Sequence, residues 1–134
     1  MVPRAHALHG CGFSKVKFYK CTQIPNSFLT SSENLREFVV SNADITSIKD
    51  SAFQGCRNLT TFEIPDTIST ISDCAFQNCP LFELDALPNS ITNIGENAFS
   101  GCTNVVLDHF PTGNSINIGG KAFSSSGVKF KEIP

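Results

Sequence analysis

Residues 45–65 read ITSIKDSAFQGCRNLTTFEIP. Most of that stretch returns at 68–88 as ISTISDCAFQNCPLFELDALP and at 91–111 as ITNIGENAFSGCTNVVLDHFP. Ile45, Ile68 and Ile91 are 23 apart, and so are Ile48, Ile71 and Ile94. Ala52-Phe53, Ala75-Phe76 and Ala98-Phe99 keep the same step, as do Cys56, Cys79 and Cys102, and Pro65, Pro88 and Pro111. A catalytic site does not need three copies of one pattern. A stack of similar units does, because one unit cannot bury its apolar face alone and neighbours can.

The pattern extends both ways. NSINIGGKAFSSSGVKFKEIP gains one residue before Ala122-Phe123, loses one before Pro134 and carries Ser126 in place of the Cys. Upstream, CTQIPNSFLTSSENLREFVVSNAD fits with a step of 24: Cys21 and Ile24 take the Ile positions and Phe28-Leu29 takes Ala-Phe, while Leu35, Phe38 and Val40 take the strand positions. That makes about five repeats over residues 21–134, preceded by an N-terminal arm or cap over 1–20.

Within a repeat, LTTFEIP has strand chemistry: β-branched and aromatic residues, then a Pro that ends the ladder because it has no N–H. ITSIKDSAFQGC reads as the return path. Its Ile pair and Ala-Phe pair point inward, and Lys49, Asp50 and Gln54 point to water. Asp or Ser before Ala-Phe suits the cap of a short helical or 3₁₀ turn. Gly55, Asn78 and Gly101 follow, where a left-handed residue is wanted. Leu29, Phe53, Phe76, Phe99 and Phe123 should then stack as one buried spine.

The pattern I..I...AF..C..L..F.IP resembles the leucine-rich repeats of the BspA type, found in surface proteins of bacteria and of protozoan parasites. The resemblance covers roughly residues 21–134. It implies an α/β-type solenoid: a right-handed stack with a concave parallel β-sheet and short 3₁₀ or helical turns or loops on the convex side. It also implies a non-enzymatic, adhesin-like role at the cell surface or in secretion, with a protein or glycan partner held on the concave sheet. The strand position of Phe38 and Phe62 becomes Asp85, Asp108 and Lys131, which puts the register of the last three copies in question.

Composition excludes several other roles. An apolar fraction of 40% against 16% charged residues is too apolar for a disordered chain. No apolar run approaches the roughly 18 residues of a membrane span. The N-terminus is basic, but no apolar core of a secretory signal follows, which leaves a cytoplasmic location open, with a scaffolding repeat protein as the alternative function. Residues 1–20 hold Arg4, Lys15, Lys17 and Lys20 and no acid; the rest holds six basic and twelve acidic residues. Nucleic-acid binding would want a basic stripe across the domain, and there is none.

Candidate chemistry is thin. Cys56, Cys79 and Cys102 share one repeat position and should stack as small buried residues, as the family resemblance also implies. Cys11 and Cys21 fall outside that column and read as the more reactive or paired thiols; Cys74 falls near the surface of a turn. HALHGC supplies His6, His9 and Cys11 without a fourth metal ligand, and terminal disorder is the simpler expectation there. His109 has Asp108 beside it but no nucleophile in a fixed relation to it. No glycine-rich phosphate loop occurs, and Asn58-Leu59-Thr60 is a glycosylation acceptor only in a chain secreted by a eukaryote, a chance match being the simpler expectation. We therefore expect no catalytic residue, no metal and no cofactor.

Counting back from each Pro, Thr61, Leu84, Leu107 and Phe130 fall on the open side of the strands, with Glu63, Ala86, His109 and Glu132 beside them. An exposed apolar stripe of that kind commonly marks a partner site. A bulge would instead turn Leu84, Leu107 and Phe130 inward and Asp85, Asp108 and Lys131 outward. Burying carboxylates is costly, which favours the bulge. Leu87, Phe110 and Ile133 keep the regular position before Pro, which favours the stripe, and the stripe is the arrangement expected in at least one copy. The last repeat ends at its strand with no capping segment, so that end is expected to expose an apolar edge suited to a longer array or to self-association.

Overall fold

The computed structural model describes residues 5–41 and 44–128. It is a parallel-strand solenoid. Five two-residue strands form its longest sheet: β2 (Gln23–Ile24), β4 (Ser47–Ile48), β5 (Thr70–Ile71), β6 (Asn93–Ile94) and β7 (Asn117–Ile118), in that order and all parallel. The second sheet pairs β1 (Lys15–Tyr19) with β3 (Glu37–Ser41), Lys15 opposite Glu37 and Tyr19 opposite Ser41. The regular sheet therefore runs through the Ile pair, on the path expected to be the return. We call that side the back. The side expected to carry the sheet, the front, has β1, β3 and two isolated bridges, Glu37–Thr61 and Leu84–Val105.

Between back and front runs the Ala-Phe segment, which contains no helix among the described residues. The reason lies in its hydrogen bonds. Ala52, Gln54 and Cys56 donate their N–H groups locally, to Lys49, Ser51 and Phe53, as in a tight turn. The alternate residues Ser51, Phe53 and Gly55 donate instead to Asp73, Ala75 and Gln77, one copy on, at 2.8–2.9 Å. A helix would keep every N–H inside the segment; here half of them tie neighbouring copies together. The price in backbone geometry is two left-handed residues per copy, four apart: Ser51 and Gly55, Cys74 and Asn78, Asn97 and Gly101. The Asn and Gly positions suit that conformation, and Ser51 and Cys74 are held in it by the ladder.

Side chains repeat the stapling. Asn26, Asp50 and Asp73 share one repeat position. Their Oδ1 atoms accept from the N–H of Asp50, Asp73 and Glu96, respectively. Packing at the back is close: a Cβ on Gly95 would sit 2.5 Å from the Asp73 nitrogen.

The core is the expected spine. Leu29, Phe53, Phe76 and Phe99 are fully buried. The rings of Phe53, Phe76, Phe99 and Phe123 stack nearly parallel at 5.1–5.3 Å, although Phe123 is only partly buried. Phe82 lies on Phe76 at 4.6 Å.

Residues 5–19 pack as one more copy, not as a disordered terminus. Leu8 and Gly10 donate to Phe28 and Thr30, in the pattern that Leu29 and Ser31 make with Ala52 and Gln54. Cys11 consequently stands in the cysteine column, one copy before Ser32, whose Oγ accepts from the Cys11 N–H at 3.2 Å. His6 and His9 stack at 6.4 Å, and no group of three metal-ligating side chains occurs among the described residues.

Candidate functional site

The front is the surface on which the copies differ, and its geometry follows from which side chains go inward. In the second full copy the inward residues are Leu59, Phe62 and, half-buried, Ile64; Thr60, Thr61 and Glu63 face water to differing degrees. In the next copy they are Phe82, Leu84 (half-buried) and Leu87, and in the one after, Val105, Leu107 and Phe110. The span from first to last inward residue is the same each time. What moves is the doubled outward step. It is Thr60-Thr61 in the first case, Asp85-Ala86 and Asp108-His109 in the others.

This corrects the expected apolar stripe. Leu107 is 3% exposed and belongs to the core; Leu84 is half-buried and packs against it. The cause is electrostatic. An inward Asp85 or Asp108 would leave a carboxylate in an apolar core without a partner, so each turns to water and its neighbouring Leu takes the space. The residue before Pro stays inward as well, because the doubled step absorbs the slip. The two signals that conflicted in the sequence are both satisfied. The pairing records the slip directly: Leu84 bridges to Val105, 21 residues on, where the repeat step is 23.

Of the expected face residues, Thr61, Glu63, Ala86 and His109 are exposed. Phe130 and Glu132 lie outside the described residues, as do Lys131 and the chain end expected to expose an apolar edge. Glu83, Asp85, Asp108 and Val106, which is 51% exposed, join the face instead. The clue to the acidic members was the replacement of Phe62 by Asp85 and Asp108. At the N-terminal end the face turns basic: Lys15 meets Glu37 at 3.5 Å, and Lys17 lies 5.4 Å above the Tyr19 ring. The front is thus a graded surface, cationic at β1 and anionic from Glu63 onward. Two shallow grooves cross it. One of about 570 Å³ lies between β3 and Thr61–Asp66, and one of about 320 Å³ follows, between Phe62–Asp66 and Glu83–Pro88.

Cys21, Cys56, Cys79 and Cys102 are built into the core, and Cys11 and Cys74 are half-buried. All six are free. Cys56, Cys79 and Cys102 donate Sγ–H to the carbonyls of Leu29, Phe53 and Phe76 at 3.0, 3.0 and 2.8 Å, joining adjacent copies. Ser32 makes the equivalent bond to Leu8 with its hydroxyl. Burial pushes the Cys56 thiol up to about 12, with a smaller contribution from Cys11. Burial also raises Cys79 and Cys21. Cys74 is raised by burial and then by the negative charges of Asp73, Asp50 and Glu96.

These shifts have a measurable consequence. An unfolded thiol ionises near pH 9, while Cys56 keeps its proton to about pH 12. A folded-state pKa above the unfolded one gives stability that is full below pH 9 and is lost as the pH climbs towards 12. We expect the urea midpoint to fall between pH 9 and 11, and to fall less in Cys56→Ala. At neutral pH, iodoacetamide should modify Cys11 and Cys74 in the folded chain. Cys21, Cys56, Cys79 and Cys102 should react only after unfolding, as peptide mass mapping would show.

Comparison with known proteins agrees with the architecture. The family model described as the BspA type leucine-rich repeat region matches residues 22–134 in six copies. No curated protein sequence matches the chain. Among solved structures, a leucine-rich repeat protein of T. pallidum superposes with a TM-score of 0.69 at 18% identity, covering 92% of this chain and 69% of that one. A leucine-rich cell surface protein of Faecalibacterium prausnitzii gives 0.69 at 30% identity, with 92% and 32% covered. A leucine-rich repeat protein of Bacteroides ovatus gives 0.60 at 20%, with 97% and 46% covered. The chain thus spans less than half of the last two.

Proposed function

The chain belongs to the BspA-type leucine-rich repeat family, and from that premise we propose that it is a non-enzymatic, adhesin-like binding module that acts at a cell surface. Its partner is a protein or a glycan, engaged by the front. The observation that carries this is the exposure of Thr61, Glu63, Ala86 and His109 on one side of the stack, with Glu83, Asp85, Val106 and Asp108 among them. They are set at repeat spacing above a core that does not depend on them. Such an array suits recognition of an extended partner. It brings no nucleophile, base and acid together as hydrolysis would require. The cell-surface relative from Faecalibacterium prausnitzii supports the location.

The test is binding of the purified chain to arrays of extracellular-matrix proteins and glycans. A specific signal should be retained by Gln77→Arg, on the turn strip formed by the stacked Ala-Phe segments. It should be lost in the paired variant Ala86→Arg with His109→Glu, provided that variant melts like the parent. No signal on any array, or equal loss in both variants, would remove the adhesin reading.

A second role, as an intracellular scaffold, is favoured by the six free thiols, since oxidising compartments select for paired cysteines. Membrane-impermeant biotinylation of intact cells separates the two: labelling of the chain supports the surface module, and protection supports the scaffold.

A further inference from the structure

We infer that the groove beside β3 binds an extended peptide with basic residues at alternate positions, by addition of that peptide as a strand. This rests on the binding reading above and names the site and the chemistry of one partner class.

The inference starts from backbone polarity. In the register of β1 with β3, the peptide groups of Glu37, Val39 and Ser41 face β1. The Glu37 N–H reaches the Ser14 carbonyl at 3.1 Å, and the Ser41 carbonyl accepts from Lys20 at 3.4 Å. The peptide groups of Phe38 and Val40 therefore face the next copy. The Phe38 N–H finds the Thr61 carbonyl at 2.9 Å. Among the described residues the ladder stops at that rung. The Phe38 carbonyl and both backbone groups of Val40 have no hydrogen-bond partner on the Thr61–Asp66 segment. That segment runs instead into Pro65, which has no N–H to give.

The space left by the divergence is the groove of about 570 Å³. Its apolar part is Val40, Ile64 and Pro65, all half-buried; its charged part is Glu37, Glu63 and Asp66. Glu37 shares its charge with Lys15 at 3.5 Å. Glu63 and Asp66 have no ion-pair partner among the described residues. A strand presents side chains with a period of two. A segment alternating small apolar residues with Lys or Arg would meet the apolar part with one parity and the carboxylates with the other, while its backbone completes the ladder of Val40. Among the described residues, the outer edge of β1 is the other free edge of this sheet. Its exposed Lys15 and Lys17 are the kind of residue that discourages strand pairing, so the basic segment is directed to β3.

The test uses the whole chain and a fluorescein-labelled peptide, acetyl-KVKVKVK-amide, with acetyl-EVEVEVE-amide as control, read by anisotropy. Two further peptides carry N-methyl groups on the valines or on the lysines. We expect saturable binding of the lysine peptide only. Methylation of one parity should weaken it about tenfold or more, the loss of two backbone hydrogen bonds, and methylation of the other parity should be tolerated. Glu63→Lys with Asp66→Lys should weaken the parent peptide by a similar factor. Equal binding of both methylated peptides, or unchanged binding to the charge-reversed chain, would overturn the inference. So would a dimer in sedimentation that the peptide disperses, since the occupant would then be a second copy. If arrays bind and the peptide does not, the inference fails alone. If the peptide binds and Ala86→Arg leaves array binding intact, it is the face reading that fails.

Discussion

Phe76→Ala should destabilise the chain by about 3–5 kcal/mol, the range for removing a buried Phe ring from a core that cannot collapse around the gap. Phe76 is fully buried and touches aromatic rings on every side: Phe53 at 5.1 Å, Phe99 at 5.3 Å, Phe82 at 4.6 Å and Phe62 at 6.3 Å. The backbone is tied on both sides: Cys74, Phe76 and Asn78 donate to Glu96, Ala98 and Ser100, and Asp73, Ala75 and Gln77 accept from Ser51, Phe53 and Gly55, so the copies cannot close the hole by sliding together. A stack is held only by contacts between neighbours. The substitution should therefore weaken the junction between the two halves and broaden the urea transition or split it in two. A single transition with an unchanged midpoint in circular dichroism would contradict a continuous spine.

Leu107→Glu should be nearly as severe, at about 3 kcal/mol or more, because it places a charge where Leu107 is 3% exposed. The same change one residue on, Asp108→Glu, should be within about 0.5 kcal/mol of the parent, as expected for an exposed position. The pair of measurements decides the front register. If Leu107→Glu melted like the parent, Leu107 would face water and the apolar stripe would be restored. Asp108→Leu offers the reverse check: a leucine there should not move inward at the expense of Leu107, and stability should change little.

The stack was legible because its signals are redundant. Each of Ile48, Phe53 and Cys56 recurs at one step, and the burial of each supports its neighbours, so the composition of the spine needed no structure; the count did, because residues 5–19, read as an arm or cap, lack the Ile and Ala-Phe signals yet pack as one more copy. The back sheet was not legible. Its strands are two residues long, too short for a period-two pattern, and Ser47-Ile48 reads equally well as part of a loop. The Ala-Phe segment, expected as a 3₁₀ or helical turn or a loop, was left undecided for a related reason. Asp50-Ser51 looks like a cap, and only the destination of alternate N–H groups distinguishes stacked turns from a helix. The front register depended on two local preferences that were treated as exclusive, the outward pull of Asp108 and the inward pull of Phe110. The doubled step at Asp108-His109 reconciles them by moving along the copy with no change in its span, and it takes Leu84 and Leu107 out of the candidate face.

That doubled step also divides labour within each copy. The back strands, the Asn26–Asp50–Asp73 staples and the turn strip fix the spacing of the stack without the front, so the front can shift a residue and leave everything behind it in place. Changes at the outward positions between each Cys and the following Pro, such as Asp85-Ala86 and Asp108-His109, then cost little, while changes between the Ile pair and the Cys break a bond to a neighbour. A lineage can rewrite what the molecule recognises without refounding how it folds, and an engineer can graft new loops at the same places.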